Sequence, residues 1–197
     1  MSEKITLVFD TSVYTNDSGP WQGAAKVWVN PGKQASSPDY ATAYNSKTEN
    51  WALVLDRKDP TKPPLFNSRI SSNTDAPDNL KTLMTPAHIL LYMAAGYGAA
   101  IPQGNLFTML QQNGAGARLQ KLERFAYFNG CGMTVPSLYT LVSVPGSNLP
   151  GIEHITSAKT GSSYYPDHKT YVYTAGTLAS LISLIPGTDG YAPVEIG

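Results

Sequence analysis

Thr85-Pro86-Ala87-His88-Ile89-Leu90-Leu91-Tyr92-Met93-Ala94-Ala95 is the most apolar stretch of the 197-residue chain. Its reading decides the fold class. Thr85 suits a helix N-cap, and Pro86 suits the first helical position, where its missing N–H costs nothing. Ala, Leu and Met favour helix, and Gly96 and Gly98 stand where a C-cap falls. Apolar residues surround the whole projected surface, as in a helix buried on every side. The stretch therefore predicts a central buried helix over residues 85–95. The apolar run ends at Ile101 and is too short and glycine-rich to span a bilayer.

Before this stretch the chain reads as strands. Ile5, Leu7 and Phe9 alternate with Thr6 and Val8 in Lys4–Asp10, and Ala25, Val27 and Val29 alternate with Lys26 and Trp28 in Gly23–Val29. Trp51, Leu53 and Leu55 alternate with Ala52 and Val54, and Phe66–Ile70 is a further short strand. Lys33–Asn50 reads as a long polar loop with a short edge strand near Tyr40–Tyr44, and Ser71–Asn79 as another loop. After it come helices near 105–128, interrupted by Asn113-Gly114-Ala115-Gly116. Leu138–Val144, Ile152–Ala158 and Tyr171–Thr174 are strand candidates. Leu178, Leu181, Ile182 and Ile185 have helical spacing, with Thr177 as cap and Pro186-Gly187 as stop, so a helix is predicted over 177–185. Thr188–Gly197 reads as an extended tail. The sum is an α+β class with mostly antiparallel sheet and a buried helix, in a single domain over 1–197.

Charge limits the partners. Fourteen basic and fourteen acidic residues cancel, and only 14% of the chain is charged. Nucleic acid and anionic membranes find no electrostatic handle here. Ser, Thr, Asn, Gly and Tyr fill the polar surface instead, which suits extended protein–protein or sugar contact. Cys131 is the sole cysteine, so neither a disulfide within the chain nor a cysteine metal cluster is available. It follows a predicted helix rather than opening one and reads as a buried, unreactive thiol. Met-Ser-Glu-Lys leads into a strand rather than a basic region and an apolar run. The expectation is cytoplasmic synthesis without a signal peptide, with a virion or released assembly as a further location.

Several short motifs carry chemical meaning. Leu-Val-Phe-Asp-Thr-Ser-Val, with Asp10 at its strand end, resembles the opening strand of PIN-type nucleases and the start of the von Willebrand A metal-binding motif. Both resemblances imply a metal at Asp10. Such a nuclease needs several converging carboxylates, yet between Asp78 and Glu153 the only acid is Glu123, and the bulky Tyr14 stands where the von Willebrand motif has a small hydroxyl residue. Lys159-Thr160-Gly161 resembles a β-lactamase-type motif, but the chain has no Ser-x-x-Lys. No phosphate-binding loop or dinucleotide fingerprint occurs, and no metal site or cofactor is predicted.

His88 reads as a hydrogen-bonded structural residue. His154 beside Glu153, and His168 beside Asp167, offer acid–base chemistry if Asp10, Glu153, His154 and His168 converge. Trp21 and the stretch holding Tyr164, Tyr165 and His168 combine aromatics with hydroxyls and a proline turn, and are the candidate binding residues. The functional expectation is a non-enzymatic, self-assembling structural subunit, as in a virus particle or phage tail, whose partners are copies of itself. A lectin-like or toxin-like module that binds a glycan or receptor is the alternative, and a hydrolase with an Asp/Glu/His site is a further one.

Overall fold

The computed structural model describes residues 3–16, 22–29, 39–44, 48–96, 101–128, 137–157, 159–164 and 170–196. Within them lie two antiparallel sheets and a helical layer. One sheet carries both ends of the described chain and is called the terminal sheet. It is built from β1 (Ile5–Asn16), β2 (Gln22–Val29), β3 (Asp39–Tyr44), β9 (Lys159–Tyr164), β10 (Thr170–Gly187) and β11 (Gly190–Glu195). Its order is β11-β10-β1-β2-β3, with β9 also paired to β10. The middle sheet has the order β5-β4-β6-β7-β8, from β4 (Thr48–Asp56), β5 (Phe66–Ile70), β6 (His88–Gly96), β7 (Ser137–Ser143) and β8 (Ile152–Ser157). The helices are α1 (Asp78–Lys81), α2 (Gly104–Gln112) and α3 (Ala117–Phe128).

Alternation in the strands builds the first core. Ile5, Leu7 and Phe9 of β1, Val27 and Val29 of β2, and Ile182 and Leu184 of β10 point at the middle sheet. They meet Trp51, Leu53 and Leu55 of β4 and Ile89, Leu91 and Met93 of β6. The Phe9 and Trp51 rings lie 5.9 Å apart. The other face of the middle sheet presents Val54, Leu90, Tyr92 and Leu141 to Leu80, Leu106, Leu110, Leu119 and Leu122 of the helices. The middle sheet is thus dry on both faces, and the terminal sheet on one.

This layering corrects the predicted central helix. Residues 88–96 form β6, the middle strand of the middle sheet, paired to β4 over Thr48–Asp56 and to β7 over Ser137–Ser143. A strand covered on both faces needs no polar alternation, so its apolar run looks the same as that of a buried helix. The two ladders use its N–H and C=O groups on both sides, leaving no reason to coil. The supposed cap is a turn. His88 N donates to Thr85 O at 3.1 Å, and the His88 ring nitrogen Nδ1 lies 2.8 Å from Leu83 O and 3.1 Å from Thr85 Oγ1. His88 is therefore engaged in shaping this turn.

The predicted helix over 177–185 is also a strand, part of β10. Ser180, Ile182 and Leu184 face inward, and the segment pairs with β1 from Ser12↔Thr177 to Ile5↔Leu184. The predicted tail contains β11. Helices do form over 104–112 and 117–128, broken at Gly114, whose φ of +106° favours glycine. The α+β reading with a helical core is accordingly replaced by mostly antiparallel sheets with helices against one outer face. Among the described residues no helix is long and apolar enough to cross a membrane.

Candidate functional site: a polar clasp at the sheet edge

β8 is an edge strand of the middle sheet, and its residues point alternately to the helices and to the terminal sheet. Glu153 and His154 are neighbours in sequence and therefore serve opposite layers. Their pairing in one acid–base site is excluded by this geometry.

Glu153 faces the helices. Its Oε1 accepts hydrogen bonds from Leu119 N at 3.0 Å and from Tyr139 Oη at 2.7 Å, and its Oε2 accepts one from Arg118 N at 3.2 Å. The Arg118 guanidinium also donates to the Glu153 carbonyl. The N–H groups of Arg118 and Leu119 lie in the first turn of α3, where no helical partner exists. Gly116, just before the helix, has no side chain to cap them, so a carboxylate from a distant strand does so and also complements the positive helix end. Burial, reinforced by the Glu153 charge, pushes the Tyr139 hydroxyl well above its ordinary pKa and keeps it a donor.

His154 faces the terminal sheet. Its Nε2 lies 2.6 Å from Glu195 Oε1 and its Nδ1 lies 2.7 Å from Ser180 Oγ. Ser180 Oγ is in turn 3.3 Å from Thr140 Oγ1. With Nε2 protonated, the neutral ring donates to Glu195 and accepts from Ser180. With both nitrogens protonated it donates to both, and the Ser180 hydroxyl turns toward Thr140. The chain is satisfied in either state.

Serine, imidazole and carboxylate in a line resemble a nucleophilic triad, but the order of exposure is reversed. A nucleophile must meet substrate while the acid holds the ring from behind. Here Ser180 is 2% exposed and lies innermost, whereas the side chains of His154 and Glu195 are 20% and 53% exposed. Thr140 and His154 come from the middle sheet, Ser180 and Glu195 from the terminal sheet. The group closes the seam between them and acts as a clasp.

The hydrogen bond from His154 is the main cause that holds the Glu195 carboxyl below the usual range, and the charge of Arg118 adds a smaller part. A depressed carboxyl contributes stability that is present above its unfolded value and lost as pH falls through the folded one. Acidification below about pH 4.5, the ordinary value of this group, is therefore expected to loosen β11. Thermal melts of wild type and His154→Ala across pH 3–7 check this. The variant should show a shallower acid decline, and parallel curves would refute the coupling.

A second clasp holds the other end of β11. The buried Arg57 donates from Nε to Tyr191 O at 2.8 Å and from Nη1 to Pro86 O at 3.0 Å, and Tyr191 N donates to Arg57 O at 2.9 Å. Beside α2 lies a cleft of about 450 Å³ with Lys81, Met84 and Met109 in its wall. The Asn113 amide in that wall is already used, donating to Met109 O at 2.7 Å and accepting from Gly146 N at 3.0 Å.

Of the remaining candidates whose side chains are described, Asp10 stands apart from the clasp. Asp10 lies on the outer face of the terminal sheet, between inward-facing Phe9 and Thr11. Trp21, Cys131, Tyr165, Asp167 and His168 lie outside the described residues, and Tyr164 is the last residue of β9, paired with Thr170. Among the described residues no three His, Cys, Asp or Glu side chains gather to hold a metal. Comparison with protein-family models, with curated proteins and with solved structures found no match to this chain.

Proposed function

We propose that the protein is a non-enzymatic structural subunit that associates with copies of itself into an ordered particle or array, such as a virus particle or phage tail. The observation that carries this reading is the outer face of the terminal sheet. The middle sheet has helices on its outer side, but the terminal sheet turns Leu181, Ile185 and Val194 outward, each between 39% and 49% exposed. Val8 and Trp28, in register with Leu181, extend the apolar surface over β1 and β2. Apolar surface gathered on one sheet face is a mark of contact with another protein. The chemistry of Glu153, His154 and Arg57 supports the same reading, because their polar atoms bind other elements of the fold. Zero net charge removes long-range repulsion between copies.

Light scattering behind a sizing column, with electron microscopy of each peak, tests the proposal. The expected result is a regular species many times the 21.2 kDa chain mass. A monomer at every concentration would overturn it.

A further inference from the structure

The geometry points to an isologous contact in which the outer face of the terminal sheet packs against the same face of a second copy, with Val8 against Leu181 of the second copy. This rests on the assembly reading above and names the surface it uses.

The register supplies the argument. Val8 pairs with Trp28 on one side and with Leu181 on the other, so three apolar side chains form one row across β2, β1 and β10. One strand further, Val194 stands beside Ser183, and Ile196 N donates to Leu181 O at 3.3 Å. A face-to-face dimer has its two-fold axis in the interface plane. An axis running between β1 and β10 exchanges those strands and exchanges β2 with β11. It sets Val8 against Leu181 of the second copy twice, and brings Trp28 toward Val194 of the second copy. The row then becomes the dry centre of a contact that matches itself.

Charge favours a second copy as the occupant. The four strands β1, β2, β10 and β11 hold three charged residues, Asp10, Lys26 and Glu195. Glu195 is bound to His154. Asp10 and Lys26 are register partners one step from the apolar row, and the Lys26 ammonium lies 4.8 Å from the centre of the Trp28 ring. The face thus carries an apolar row with one acid and one base side by side in the next row. It has no net charge with which to select a polyanion or polycation, and two copies of it do not repel.

The test uses full-length chains carrying Val8→Glu or Leu181→Lys, studied by sedimentation velocity alone and mixed. Leu181 is exposed in the single chain, so Leu181→Lys leaves the fold intact, as circular dichroism and melting will show. Each variant alone should weaken self-association by roughly thirtyfold or more, as loss of a central anchor does. An equimolar mixture should regain association, because glutamate on one chain then meets lysine on the other. Wild-type association that both variants retain would overturn this surface and leave the assembly reading standing. Variants that dissociate but do not recover on mixing would overturn the two-fold pairing. A wild-type chain that stays monomeric would overturn both proposals.

Discussion

Trp51→Ala is expected to lower stability by about 3–5 kcal/mol, the range for removing a large aromatic from a packed core. Trp51 is 1% exposed, lies between the two sheets, and packs its ring against Phe9. Its Nε1 donates to Asn67 Oδ1 at 2.8 Å, tying β4 to the edge strand β5. Truncation opens a void in the layer that joins the sheets and frees Asn67. Trp51→Phe keeps much of the ring contact and loses the donor, so its cost should be closer to 1–2 kcal/mol, on the order expected for one hydrogen bond plus partial repacking. Urea unfolding of the two variants measures both values. A loss below about 1 kcal/mol for Trp51→Ala would contradict the packing described here.

Glu153→Ala is expected to cost about 2–4 kcal/mol, the sum of a lost helix cap and a buried hydroxyl left without an acceptor. The carboxylate serves two N–H groups of α3 and the hydroxyl of fully buried Tyr139, so one substitution strips three donors. Glu153→Gln keeps an acceptor but loses the charge, and should fall between wild type and alanine. Tyr139→Phe in the Glu153→Ala background should add little, because its partner is already gone. A double-mutant cycle that shows additive losses would mean that the tyrosine and the carboxylate act independently. Hydrogen exchange should localise the effect to the first turn of α3.

Much of the strand content was legible in the sequence, and the reason is physical. β1, β2 and β4 alternate because each side chain's direction is fixed by the pleat, and their inward residues are Ile5, Leu7, Phe9, Val27, Trp51 and Leu53. The same logic fails for β6. Ile89, Leu91 and Met93 face one core while Leu90, Tyr92 and Ala94 face the other, so period two carries no contrast. Residue propensity then decides the reading, and Ala, Leu and Met vote for helix where two flanking strands impose sheet. In β10 the spacing of Leu178, Leu181, Ile182 and Ile185 mimics a helix because Leu181 and Ile185 lie on the apolar outer face. Ser180, pointing inward, hides the period.

The clasp was not legible. His154, Ser180 and Glu195 lie 26 and 41 residues apart along the chain, and only the facing of two sheet edges brings them together. Glu153 and His154 stand side by side in the sequence as a titratable pair. What their adjacency in a strand signals is opposite orientation, and each is a partner of a different layer.

The pairing of β1 with β10 has a consequence for synthesis. Ile5 meets Leu184, so the first strand waits for nearly the whole chain before its second neighbour exists. The middle sheet needs only residues 48–157 and can close sooner. At ribosomal speeds of about 5–20 residues per second, the β1–β2 hairpin stays without β10 for roughly 10–30 s. Even with β3 added, this partial sheet lacks β10 and β11, and Leu7, Phe9, Val27 and Val29 have no packing partner on the nascent chain until the middle sheet is made. The apolar inner face of β1 and β2 is thus an aggregation hazard of the growing polypeptide, and its sheet is joined only when β10 has emerged.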